Sequence, residues 1–233
     1  MSTINPIRVR FKKDHINFGP IVQSGLVLNL DAGNTNSYPG SGITWFDLSG
    51  NGNNGTLTNG PTYSSADGGS IVFDGSNDYV NLNFPFTQSS SANSYTIVMG
   101  AKLSTTSSSR RQLWGSDNGG YDWGFGAGDG TKFTIFSGEN IYTGRTQDTN
   151  WHIFTAQWSS TFGTRLYIDN VLDISTSNIG YDSSISSTTS IGRNPGYGEY
   201  WNGNVSFVQL YDRALTAAEI TQNYNALKGR FGL

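Results

Sequence analysis

The segment Asp47-Leu48-Ser49-Gly50-Asn51-Gly52-Asn53 begins like an oxygen-rich calcium loop. Alternate side-chain oxygens there can face one point, and Gly52 allows the sharp turn. A complete EF-hand needs a bidentate acid at the twelfth position, where this chain has Thr58, so that reading fails. A second segment, Asp74-Gly75-Ser76-Asn77-Asp78, could complete the shell. The candidate ligands of one calcium ion, the only cofactor expected, are therefore Asp47, Ser49, Asn51, Asp74 and Asp78. The same residues also suit Asx turns that bond their own backbone.

Two aromatic-polar loops suit a different ligand. Tyr121-Asp122-Trp123 lies among glycines, and Pro195-Gly196-Tyr197-Gly198-Glu199-Tyr200-Trp201-Asn202 repeats the theme. Aromatic rings offer an apolar face to sugar C–H groups, and neighbouring polar groups fix orientation. Tyr121, Trp123, Tyr197, Tyr200 and Trp201 are the candidate carbohydrate contacts; packing in the core is their alternative role.

Other chemistry finds little support. The chain has no cysteine and two histidines, His15 and His152, whose spacing does not pair them. A thiolate metal site is thereby excluded. The only glutamates are Glu139, Glu199 and Glu219, against 14 aspartates. There is no G-x-S-x-G elbow, and the Gly-rich run 124–130 lacks the Lys-Ser/Thr ending of a phosphate cradle. No catalytic residue is assigned, and the chain is expected not to be an enzyme.

The elements that must hold these loops read as strands. Only 13% of the 233 residues are charged, yet Gly, Ser, Thr and Asn together number 105. These are poor helix formers and good turn formers. GLVLNLD (25–31) places Leu26, Leu28 and Leu30 on one face by alternation. In YTIVMGAKL (95–103), Tyr95, Ile97, Met99, Ala101 and Leu103 share a face. Trp151 and Trp158 fall on opposite faces of their strand. Asp169-Asn170 between two apolar runs predicts a type I′ hairpin, and the remaining Asn-Gly pairs predict further turns. Apolar runs recurring through residues 24–214 predict one antiparallel sandwich.

One helix follows. Thr216-Ala217-Ala218-Glu219 is a capping box, Leu215 and Ile220 form a staple, and Ile220, Tyr224 and Leu227 make the apolar stripe. Gly229 is expected to end it.

Residues 1–23 form a basic arm. Arg8, Arg10, Lys12 and Lys13 against Asp14 give +3, so the remaining residues carry −6 of the net −3. The alternating IRVRF suits strand addition to a neighbour, and these four cations are the candidate partner-docking residues. The domain's negative charge disfavours nucleic acid. No stretch is long and apolar enough for a membrane span, and residues 1–13 lack a secretory h-region.

Five segments occur in a familiar order: 25–34, 45–63, 68–80, 151–172 and 190–220. As a series they resemble the laminin-G-like, concanavalin-A-like jelly-roll domains, and in particular the copies in bacteriophage tail, fibre and capsid-decoration proteins. The resemblance covers residues 24–233 and implies an all-β fold of two antiparallel sheets with one short C-terminal helix and an extended arm (1–23). It implies a hairpin usually written Tyr-x-Asp-Gly, with Asn170 here in place of Gly, and a closing helix that begins at Leu215, Glu219 and Ile220. Such domains often carry one rim calcium. Related laminarinase-type jelly rolls use an E-x-D-x-x-E strand, which this chain lacks. The expectation is thus a phage virion structural component, assembled in the host cytoplasm without a secretory signal. It would dock on other virion proteins through its arm, act as a homo-oligomer and meet host-surface glycans. A lectin-like carbohydrate-binding module is the alternative, with a glycoside hydrolase ranked below both.

Overall fold

The computed structural model describes residues 19–82, 94–116, 123–180 and 189–233. The strands in chain order are β1 (Leu26–Asp31), β2 (Thr44–Trp45), β3 (Gly55–Thr58), β4 (Thr62–Ser64), β5 (Ser70–Asp74), β6 (Tyr79–Leu82), β7 (Tyr95–Leu103) and β8 (Arg111–Ser116). They continue with β9 (Phe125–Gly128), β10 (Lys132–Ser137), β11 (Asn140–Thr146), β12 (His152–Ser159), β13 (Gly163–Ile168), β14 (Val171–Thr176), β15 (Thr189–Ile191) and β16 (Asn202–Tyr211). The helix α1 spans Ala217–Leu227.

Two antiparallel sheets form, as expected for a jelly roll. The first has the order β14-β13-β12-β7-β16-β5-β4, and β1 also pairs with β16. The second runs β11-β10-β9-β8-β15-β6-β3-β2. Along one edge of β16, β5 covers residues 202–205 and β1 covers 207–211, so the two strands lie end to end.

The sheets face each other across the main core. Ile97, Met99, Ala101 and Leu103 of β7 point into it, with Tyr95 packed against it, as their alternation predicts. β1 departs from prediction. Leu28 and Leu30 enter the core, but Leu26 packs on the opposite face of the sheet. The physical reason is a bulge between Leu26 and Leu28, which resets the alternation.

A second apolar cluster covers the outer face of the first sheet. Val98, Ile153, Phe207 and Tyr211 meet Leu215 and Ile220, with Tyr224 and Leu227 alongside. Trp158 lies in the main core, while Trp151 stacks on Phe231 at 4.6 Å on the outer face. The capping box forms: Thr216 N–H donates to Glu219 Oε2 at 2.8 Å, and Glu219 N–H donates to Thr216 Oγ1 at 3.3 Å. Arg213 grips the same carboxylate, with 2.6 Å from Nη2 to Oε1. Gly229 does not end the helical path. A 3-10 turn carries it through Arg230, and the left-handed glycine is Gly232 at φ 73°.

The packed body begins before residue 24. Val22 is buried, its N–H donates to Asn223 Oδ1 at 2.8 Å, and its carbonyl accepts from the Tyr211 hydroxyl at 3.0 Å. Residues 20–23 therefore belong to the body rather than to the arm. Arg8, Arg10, Lys12 and Lys13 lie outside the described residues.

Candidate functional site

The loop 192–201 continues the line of β15 alongside β8, inside the second sheet. Gly192, at φ 83°, turns the chain away after β15. Its N–H donates to Leu113 O at 2.9 Å, and Trp201 N–H donates back to Gly192 O at 2.9 Å. Gln112 N–H then donates to Glu199 O at 2.9 Å, and Gln112 and Tyr200 form a parallel bridge. The buried Trp201 indole anchors the loop's end in the core. Gly115, outward-facing beside the core residue Trp114, lets the loop lie flat. A Cβ there would sit 2.3 Å from the Arg193 carbonyl oxygen.

This folding brings a polar cluster onto the outer face. Glu199 Oε2 accepts from Asn194 Nδ2 at 3.3 Å and from Gln112 Nε2 at 3.4 Å. Glu199 Oε1 stands 4.0 Å from Arg110 Nη1. Arg110 Nε bonds both Asp129 oxygens, at 3.1 and 3.3 Å. Asp129 reaches it from the β9–β10 turn, where Asp129, Gly130 and Thr131 have φ of 39°, 78° and 62°. A β-branched residue at such φ is strained, so the turn is held by its surroundings. Gln147 supplies part of that hold: its N–H donates to Thr131 O at 3.0 Å and its amide to Lys132 O at 2.9 Å. Gln112 is almost wholly buried, and its Oε1 has no hydrogen-bond partner among the described residues. Tyr197, at the apex of the loop, is 67% exposed, and Tyr200 is half-buried beside it. The result is a part-exposed carboxylate and an open guanidinium, braced by two buried amides, next to an open aromatic face, the acceptor, donor and platform that a polyhydroxyl ligand needs.

Two of the expected aromatic contacts are elsewhere. Trp123 and Trp201 are completely buried in the main core, so neither presents a face to a ligand. The reason is that their loops are closed by their tryptophans: Trp123 Nε1 donates inward to Ile179 O at 3.5 Å. Tyr121 lies outside the described residues. Sequence reasoning missed Gln112, Asn194, Arg110 and Asp129. The run Asn194-Pro195-Gly196 did carry a turn signal, and Asn194 Oδ1 indeed accepts the Gly196 N–H at 2.9 Å.

The calcium residues do not form one shell. Asp47 Oδ1 accepts Asn29 N–H at 2.8 Å and Ser49 N–H at 2.9 Å. Its Oδ2 accepts the Ser49 hydroxyl at 2.7 Å and Asn53 N–H at 3.0 Å. Asn51 and Ser49 turn their side chains to the carbonyls of β1. This carboxylate staples its loop to β1, and its oxygens are already used. Asp74 accepts from Ser76 and Asn77, an Asx turn, and these bonds lower its pKa. Burial pushes the Asp78 carboxyl up, and Asp74's charge adds to that. Asp47 sits by Asn29, opposite Gln209, whereas Asp74 pairs with Asn202. Seven residues of strand separate them, roughly 23 Å. No group of three or more His, Asp or Glu that could hold a metal occurs among the described residues. The residues present do not fit a shared ion.

A second titratable cluster lies at the start of β12. His152, 7% exposed, bonds Asp169 Oδ2 through Nδ1 at 2.6 Å and Asp148 Oδ1 through Nε2 at 3.0 Å. Burial alone would lower the imidazole pKa, but the bonds and charges of Asp169 and Asp148 together outweigh it and raise it. Asp169 and Asn170, at φ 53° and 64°, make the expected left-handed two-residue turn.

The sequence profile of the concanavalin A-like lectin/glucanases superfamily matches residues 74–221. The chain belongs to this superfamily. Solved structures agree on the superfamily fold. A Trypanosoma rangeli sialidase in complex with sialic acid aligns at TM-score 0.68 and 15% identity, over 88% of this chain and 33% of the sialidase. This superfamily member thus spans about a third of that enzyme. Domain 4 of AbnA, a GH43 extracellular arabinanase from Geobacillus stearothermophilus, in complex with arabinotriose, aligns at 0.63 and 17% identity, over 86% of this chain and 98% of that domain. The binding domain of Paraclostridial Mosquitocidal Protein 1 aligns at 0.66 and 16% identity, over 88% and 52%. No curated protein sequence matches the chain.

Proposed function

We propose that the chain is a non-catalytic glycan-binding domain whose site is the outer face of the second sheet beneath loop 192–201. The observation that carries this reading is the Glu199–Gln112–Asn194–Arg110 cluster beside the exposed Tyr197. The arabinotriose held by a domain of the same fold and nearly the same extent supports it. The non-catalytic part rests on the glutamates. Glu219 is committed to Arg213 and the helix cap, Glu139 stands in an exposed turn, and Glu199 faces amides and a guanidinium. A retaining glycosidase needs two carboxyls about 5–5.5 Å apart across a cleft. Glycan-array screening of the full chain tests the reading. Binding should be detected and should fall at least tenfold in Glu199→Ala and in Tyr197→Ala. An array without hits, or hits unaffected by both substitutions, refutes it.

The setting we propose for this domain is a bacteriophage virion, with residues 1–19 as the docking arm. Four cations precede a body that begins packing at Pro20–Val22, and the remaining chain is acidic. Opposite charge would steer the arm to neighbouring subunits, themselves copies of this chain or other virion proteins. Deletion of residues 1–19 should abolish incorporation into particles. Full occupancy by the truncated chain refutes the arm's role.

A further inference from the structure

Arg193 is held on three sides. Its guanidinium lies over the Tyr79 ring at 3.6 Å, its Nε donates to Ser190 Oγ at 3.2 Å, and its carbonyl presses on Gly115. Ser190 is fully buried, so this tether is fixed. Arg110, Arg145, Arg213 and Arg230 each pair with a carboxylate. Arg193, equally well fixed, has no ion pair and no bond to its two terminal nitrogens among the described residues. It is half-buried, so those nitrogens remain within reach of a ligand.

We infer that this face takes an acidic saccharide, its carboxylate or sulfate gripped by the free edge of Arg193. The inference rests on the glycan-binding reading above. A guanidinium offers parallel N–H donors in a rigid fork that matches an oxyanion bidentately. Stacking on Tyr79 and the Ser190 bond have already removed most of the side chain's freedom, so little ordering remains on binding. The cluster is neutral overall, Arg110 and Arg193 against Asp129 and Glu199, but both carboxylates face Arg110, so Arg193 is the cation of the cluster without an ion pair among the described residues. Position agrees too. Tyr79 opens β6 and Gln112 lies in β8, with β15 between them. Two strand spacings put the Arg193 stack about 10 Å from the Gln112–Glu199 pair. One residue of a short oligosaccharide would meet Glu199 and the next would place its anion on Arg193.

The experiment is titration calorimetry of the full chain with matched pairs. One pair is trigalacturonic acid and its methyl ester; the other is N-acetylglucosamine 6-sulfate and N-acetylglucosamine, with inorganic sulfate as a further arm. The acidic member of at least one pair should bind tenfold or more tighter than its neutral partner. That advantage should shrink as salt is raised from 50 to 500 mM. Arg193→Gln should bring the ratio to about one, with an unchanged melting temperature to show that it folds; Arg193→Lys should restore part of it. Equal binding of neutral and acidic members overturns the inference and leaves the glycan reading standing. Inorganic sulfate binding as tightly as the sulfated sugar also overturns it. No binding by any sugar overturns both.

Discussion

Replacing His152 by Asn removes one charge from a buried three-group cluster. Asn keeps a single N–H for Asp169 and loses the bond to Asp148. Asp148 is 43% exposed, so its pairing is screened and contributes a few tenths of a kcal/mol. Asp169 is 20% exposed and bonds at 2.6 Å, so the charge-assisted part of that bond dominates, about 2 kcal/mol. For 233 residues an unfolding entropy of about 2.1 cal/mol/K each sums to about 0.5 kcal/mol/K, so the melting temperature should fall by about 4 °C. The pH dependence identifies the cause. The folded His152 pKa is raised above its unfolded value of about 6.5. Its contribution is therefore complete below that unfolded value and is lost as pH rises through the folded pKa. Melting curves of the wild type and His152→Asn should differ most near pH 6 and converge in alkaline buffer. Running them in a His15→Asn background removes the other histidine. A gap between the two proteins that stays constant or widens with rising pH would refute the reasoning.

Three further outcomes follow from the packing. Trp201→Ala should destabilise the domain by about 3–5 kcal/mol in urea titrations, because the ring is wholly buried, whereas Tyr197→Ala should change stability by less than about 0.5 kcal/mol. Glu219→Gln should cost about 0.5–1 kcal/mol through the lost charge of the Arg213 pair, because the glutamine Oε1 can still accept the Thr216 N–H. Arg213 and the Thr216 bonds hold the folded Glu219 pKa at about 2. Its stabilisation is present above the unfolded value and disappears as pH falls toward 2, so acid melting curves of wild type and variant should meet there. Gly115→Ala should displace loop 192–201 and weaken glycan binding, since the new Cβ would meet the Arg193 carbonyl at 2.3 Å.

The fold was legible wherever a local rule acted alone. The alternation of Ile97, Met99, Ala101 and Leu103, the Asp169-Asn170 turn and the Thr216/Glu219 box are all decided within ten residues of chain. The rules failed where a neighbour intervened. Leu26 changed faces through a bulge set by its pairing with β16. The Asn202-Gly203 pair reads as a turn but opens β16, where Asn202 bonds back to Asp74. Asp47 bonds Ser49 and Asn53 of its own loop and also Asn29 of β1, 18 residues upstream, a partner that no local rule could supply.

The candidate site was only half legible for the same reason. Its aromatic loop was visible, because Tyr197 and Tyr200 stand among glycines. Which rings would stay outside was not, since that depends on what each indole meets across the sandwich. Glu199 and Gln112 are 87 residues apart and become neighbours only because loop 192–201 continues the line of β15 alongside β8. Arg110 gains its place through Asp129, which a strained turn delivers from the next hairpin. Sheet order thus assembles the site from segments that carry no shared motif. A jelly roll can therefore change its ligand by altering one loop without disturbing its core. In this chain Gly115 keeps loop and sheet in contact, so a substitution there should erase the site while the strands beneath it remain paired.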